Sequence, residues 1–106
     1  MLDPKLTAAL IVAAGRGVRA GGAVPKQYQE LAGRPVIART VETFANHPGI
    51  GHICVVISEE DRDLAVRALG PATPMVAGGA TRAASVAAGL ANLPAEIEHV
   101  LIHDAA

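Results

Sequence analysis

Aromatic side chains are nearly missing from this 106-residue chain, which has one Phe, one Tyr and no Trp. A core without rings has to be filled by small aliphatic groups, and Ala, Val and Gly dominate the sequence. Such side chains suit parallel strands covered by helices on both faces. Cys54 is the single cysteine. An intrachain disulfide is therefore excluded, and so is a metal site built on a pair of thiolates. The thiol lies in "HICVVIS", where a small buried hydrophobe on a strand is expected. Long apolar runs are missing too. The longest, "AALIVAA", falls far short of the roughly 20 residues of a membrane helix. It has no basic region before it and runs straight into glycine and arginine, so it does not read as a secretory signal. The expected compartment is the cytoplasm. A formal net charge of −1 supplies neither a basic field for nucleic acid nor a polybasic tail for a membrane. Any site for an anion must be local.

Two signals alternate along the chain. Short β-rich runs occur at Leu6 to Ala13, His52 to Ile57, Thr73 to Val76 and His99 to Ile102. Helical patterns lie between them. Val36, Ile37, Thr40, Val41 and Phe44 recur at helical spacing, with Pro35 suited to a first turn. "HPG" at His47 to Gly49 ends that helix. Ser58 opens "SEEDRDLAVRAL" as an N-cap candidate, and acids in the first turn suit the positive end of the helix dipole. Gly70 and Pro71 close it. A third helix is expected from about Thr81 to Leu93, ahead of Pro94. The alternation predicts an α/β protein with an open, mostly parallel sheet and helices on both faces. No repeat, linker or low-complexity tract divides the chain.

The first connection is the unusual one. "AAGRGVRAGGAVPKQY", Ala13 to Tyr28, carries four glycines, three cations and no acid. It is long for a βα loop, and it follows the first strand, where α/β proteins take their ligands. Gly15-x-Gly17-x-x-Ala20 matches a loose dinucleotide fingerprint. That motif must open a helix, however, and Gly21, Gly22 and Pro25 interrupt one. Ser58 also stands where a ribose would meet an acid. No Gly-Lys-Ser/Thr follows at P-loop spacing. A phosphate cradle fits better: glycines let backbone N–H groups approach, Arg19 can fork two phosphate oxygens, and Lys26 can neutralise a third. Those are the parts that phosphoryl and nucleotidyl transfer use. Arg16 fits a solvated turn equally well.

Two further patches belong to the same end of the sheet. "GGATRAASV" puts Gly78, Gly79, Arg82 and Ser85 at a helix start, where amides can meet a phosphate or a base edge; a plain tight turn is the alternative. "LIHDAA" puts Asp104 at the end of the last strand. A lone carboxylate there can share Mg²⁺ with substrate phosphates, or it can cap a helix. His47, His52 and His99 lack metal-ligand spacing. The side chain of His103 should point to the face opposite Asp104, which suits a structural hydrogen-bonding role.

"AAGRGVR", "PKQY", "GGATRAASV" and "HDAA", in this order and spacing, resemble the 2-C-methyl-D-erythritol 4-phosphate cytidylyltransferases of non-mevalonate isoprenoid synthesis. The first motif is shared with many nucleotidyltransferases; the combination is specific. Ribitol 5-phosphate cytidylyltransferases carry similar motifs but tend to differ at Tyr28 and Ala106. The resemblance implies a Rossmann-like nucleotidyltransferase fold. It also implies transfer of CMP from CTP to the methylerythritol phosphate, with pyrophosphate leaving. Arg19 and Lys26 would stabilise the transition state at the α-phosphorus. Ala13, Ala14, Gly15 and Gly17 would line the triphosphate and base, Gly78, Gly79, Arg82 and Ser85 would form the nucleotide pocket, and Asp104 would contact Mg²⁺ or another divalent cation.

The family often has Pro at the position of Val12 and Met at that of Ala20, both packing positions. Its "HDAA" normally runs on into Arg-Pro and a second half with the acceptor contacts and a dimerisation arm. The whole chain, 1–106, is thus expected to be the N-terminal, nucleotide-binding half of one domain, truncated after the fourth strand. It would be inactive alone, with a homodimer for the full-length protein. A non-catalytic nucleotide-binding module is the alternative of another class.

Overall fold

The computed structural model describes residues 3–15 and 24–105. A turn of 3-10 helix at Pro4–Leu6, capped by the Asp3 carboxylate, precedes the first strand β1, Thr7–Ala13. A second such turn covers Lys26–Tyr28. A two-stranded hairpin follows, β2 at Glu30–Leu31 and β3 at Arg34–Pro35. Then come α1 at Val36–Ala45, β4 at His52–Ile57, α2 at Arg62–Leu69, β5 at Met75–Ala77, α3 at Arg82–Ala91 and β6 at His99–Asp104. Four strands form one parallel sheet in the order β5-β4-β1-β6. The expected α/β class and the paired layers of helices are therefore present.

Register explains the layering. Ile11 lies beside Val55 on β4 and His103 on β6, and Leu10 lies beside Cys54 and Ile102. Alternate residues of a strand face opposite sides, so β1 feeds both cores. On one side Ile11, Ala13, Val55 and Ile57 pack with Ile37, Val41 and Phe44 of α1 and Leu64 and Ala65 of α2. On the other Leu10, Cys54 and Val56 pack with Val86 of α3 and with Leu93 beyond it. All of β1 is buried, with Ala8 to Ile11 fully so. Burying a Leu or Ile side chain completely stabilises by roughly 1.5–3 kcal/mol, and β1 and β4 carry most of these residues. Cys54 is buried as expected. Burial raises its pKa, against a weaker opposing effect of the Asn92 amide that donates to Sγ at 3.7 Å.

Three local expectations need correction, and one element was not anticipated. Pro35 is the last residue of β3 and the N-cap of α1, not a first-turn residue. The hairpin before it is not foreshadowed by Asn-Gly; Ala32 and Gly33 both take positive φ, 54° and 85°. That is the geometry of a tight turn matched to strand twist, and the Arg39 guanidinium holds it by donating to the Leu31 and Ala32 carbonyls. The Ser58 side chain makes no capping hydrogen bond. The acids that follow form a turn of 3-10 helix, Glu59–Asp61, so α2 starts only at Arg62. Finally, β6 extends through Asp104, because Ala105 still donates to the Val12 carbonyl at 3.0 Å.

Candidate functional site

The order in which strands are added reverses at β1. The connections through α1 and α2 carry the chain to β4 and β5 on one side, and α3 returns it to β6 on the other. A crevice therefore opens at the carboxyl ends of β1 and β6, the place where open α/β sheets hold ligands. A cleft of about 640 Å³ lies there, among Val12 to Gly15, Lys26, Ser58, Glu60, Gly79 to Arg82 and Asp104. That is the size range of small-molecule sites.

One wall is the turn that carries Lys26. Pro25, Gln27 and Tyr28 are buried while Lys26 is exposed. Tyr28 packs in the core beside Ile37 and Ala65. The Gln27 amide donates to the carbonyls of Ala13 at 2.9 Å and Gly15 at 3.3 Å. The backbone closes the turn from Tyr28 to Pro25, and Val36 at the start of α1 donates to the Gln29 carbonyl. Among the described residues the Lys26 ammonium has no hydrogen bond or ion pair, so its charge is available to the cleft.

The other wall is the start of α3. The Thr81 hydroxyl accepts from the Ala84 amide at 3.0 Å and caps the helix. Gly78 is a close-approach position. A Cβ there would collide with Ser85 Oγ and come within 2.7 Å of the Ala14 Cβ. The Ser85 hydroxyl is buried and accepts from the Gly79 amide at 3.2 Å. Ser85 thus shapes the glycine turn as well as lining the cleft. The Arg82 guanidinium reaches across to Asp104, Nε to Oδ1 3.3 Å, with both side chains about 60% exposed, at 60% and 62%. Asp104 is held at the strand end by Ala105, which is buried and whose carbonyl accepts from the Thr40 hydroxyl of α1. His103 takes the opposite face, as expected, with its ring edge-on to Phe44 at 5.2 Å rather than in a hydrogen bond.

Of the residues singled out from sequence, Ala13, Ala14, Gly15, Lys26, Gly79, Arg82, Ser85 and Asp104 come together around the cleft. Gly78 sits just behind it, packed on Ala14 and Ser85. Arg16, Gly17 and Arg19 lie outside the described residues. Gln27, Ser58, Glu60, Ala80 and Thr81 were not anticipated as cleft residues. Gln27 lay within "PKQY", and Ala80 and Thr81 lay within "GGATRAASV", without being singled out.

An open parallel sheet with a cleft at its strand switch, carrying a lysine and a carboxylate, places the chain in the class of α/β proteins that take ligands at that position. The chain belongs to the family described as IspD, 2-C-methyl-D-erythritol 4-phosphate cytidylyltransferase, which matches residues 7–106. It is 56% identical over 101 residues to a "Bifunctional enzyme IspD/IspF" of Rhizorhabdus wittichii, covering 93% of this chain and 26% of that protein. A protein of the same description from Rhodopseudomonas palustris is 53% identical over 110 residues, covering 100% of this chain and 27% of the relative. Among solved structures, a 4-diphosphocytidyl-2C-methyl-D-erythritol synthase of Anaerococcus prevotii superposes with a TM-score of 0.78 at 32% identity. That match covers 97% of this chain and 44% of the other. The chain thus spans about a quarter of these curated relatives.

Proposed function

We propose that this chain is the nucleotide-binding half of one cytidylyltransferase domain, and that the complete protein transfers CMP from CTP to 2-C-methyl-D-erythritol 4-phosphate, releasing pyrophosphate. The observation that carries this is the convergence of Lys26, the Gly15 and Gly79 turns, Arg82 and Asp104 on one cleft at the strand switch. Each contributes chemistry that a triphosphate needs. Backbone amides at Ala13 to Gly15 and at the α3 start cradle oxygens and a base edge. Lys26 neutralises charge that builds at the α-phosphorus as the acceptor oxygen attacks in line. Arg19, from the same glycine-rich stretch of sequence, has the same role. The acceptor phosphate is already an anion at neutral pH, so no protein nucleophile is needed. Gly78 and Ser85 fix the glycine turn beside the cleft, with the Gly79 amide held by the Ser85 hydroxyl.

The donor set at Asp104 fits Mg²⁺. It is a hard, accessible carboxylate facing the cleft, and Mg²⁺ with substrate phosphates needs only one or two. No group of three or more His, Cys, Asp or Glu that could hold a metal occurs among the described residues, which favours an ion that arrives with the nucleotide. When bound, such an ion would supply charge neutralisation on the triphosphate.

No helix among the described residues is long and apolar enough to cross a membrane. A cytoplasmic enzyme that acts on small molecules, and not on nucleic acid or lipid, is proposed from the nearly neutral formal charge of −1. A homodimer is proposed for the full-length protein from the family resemblance. The test uses the chain carried in a complete family domain. CTP is supplied with methylerythritol phosphate or with ribitol 5-phosphate, and pyrophosphate and the cytidylylated product are measured. Turnover with the first acceptor only is expected. Turnover with the second only would move the assignment to the neighbouring class, and binding without turnover would make this a nucleotide-binding module.

A further inference from the structure

We infer that Gln27 is a positioning residue: its buried carboxamide ties the carboxyl end of β1 to the turn that carries Lys26, and so sets the distance between the phosphate-facing amides and the lysine. This rests on the cytidylyl-transfer reading for its rate consequences, but the tie itself is independent of it. The side chain is 7% exposed. Its Nε2 reaches two carbonyls of the same strand end, Ala13 at 2.9 Å and Gly15 at 3.3 Å. Only the NH₂ group of a carboxamide can donate to two carbonyls, so the orientation is chemically forced. The two acceptors flank Ala14 and lie where β1 passes into the cleft.

Lys26 precedes Gln27 directly, and the 3-10 turn they share leaves little freedom between them. Tyr28 pins the far side of that turn in the core. A flexible lysine gains transition-state precision only if its backbone is fixed, and Gln27 is the contact that fixes it relative to the strand end instead of to the core alone. A displacement near 1 Å at a catalytic group can cost on the order of 100-fold in rate.

Two substitutions in the complete domain separate this role from general packing. Gln27→Met keeps length and burial but cannot donate. Gln27→Glu places a carboxylate against two carbonyls when ionised, yet its protonated form can donate one hydrogen bond. Repulsion from the carbonyls raises the pKa of such a carboxyl. For Gln27→Met we expect kcat to fall on the order of 10- to 100-fold with a much smaller change in KM for CTP. For Gln27→Glu the ratio of its activity to wild type should climb as pH falls from about 8 to about 6, while the Gln27→Met ratio stays flat. Unchanged kcat in both variants, or parallel pH profiles, would overturn the positioning role. Hydrogen exchange across residues 12–15 and 25–28 reads the tie without any reaction: faster exchange in Gln27→Met supports it, and unchanged exchange overturns it. A wild-type protein without turnover would sink the cytidylyl-transfer reading and leave the exchange result standing.

Discussion

The two walls of the cleft are held in opposite ways. The Lys26 wall is fixed by buried neutral contacts, Gln27 to the strand end and Tyr28 in the core, and presents a cation with no partner among the described residues. The wall formed by α3 and β6 presents two exposed charges, Arg82 and Asp104, that neutralise each other across 3.3 Å. An exposed ion pair is worth only about 0–1 kcal/mol, so a charged ligand can redistribute it at little cost. One wall is preorganised; the other is poised to exchange partners. On the proposed function, a triphosphate that drew Arg82 to its oxygens would leave the Asp104 carboxylate for a cation.

The largest effect should come from the fixed wall. Lys26→Ala in the complete domain is expected to lower kcat on the order of 100-fold or more, with a smaller change in KM for CTP, measured by pyrophosphate release. Equal losses in affinity and turnover would mean that Lys26 only holds the ground state.

Next is Gly78→Ala, which forces a methyl group against Ser85 Oγ and Ala14. Overpacking of this kind costs about 1–3 kcal/mol, visible as a lower midpoint in denaturant, and it should also disturb the Gly79 amide that Ser85 holds. Arg82→Met breaks the exchangeable pair. Stability should move by less than about 1 kcal/mol while CTP binding weakens, as calorimetry would show. A large stability loss would make the pair structural and erase the contrast between the walls.

The smallest effect lies away from the cleft. The Arg34 guanidinium hydrogen-bonds Glu42 at 2.9 Å and lowers its pKa. A depressed carboxylate pKa gives stability that is present above the unfolded pKa and lost as pH falls through the folded one. Arg34→Ala should remove a slight acid sensitivity below about pH 5 and leave CTP binding untouched.

Much of this was legible in the residues because local signals and global pattern agree. β1 and β4 read as strands from their unbroken β-rich runs, and α1 and α3 from helical spacing. The cleft residues were legible because glycine turns and charges fall at strand ends, which the topology gathers. What escaped depended on backbone turns and side-chain contacts that residue types do not announce. The β2–β3 hairpin turns on Ala32-Gly33, a poor turn signal, and relies on Arg39 from the following helix. Ser58 has the right chemistry for a cap, yet the chain enters a 3-10 turn, its side chain makes no capping hydrogen bond, and the residue borders the cleft. Gln27 reads as an ordinary polar residue until the fold brings Ala13 to it. Leu101 and Ile102 on the edge strand β6 are exposed, at 49% and 44%.

The most direct test labels the glycines isotopically in the complete domain and follows their amide signals as CTP and Mg²⁺ are added. Gly15, Gly78 and Gly79 border the cleft or support it, whereas Gly33, Gly49 and Gly70 lie outside its lining. A CTP site at the strand switch predicts that the first three signals shift with saturation and the last three stay in place. Shifts confined to the second group, or none at all with CTP demonstrably bound, would contradict it.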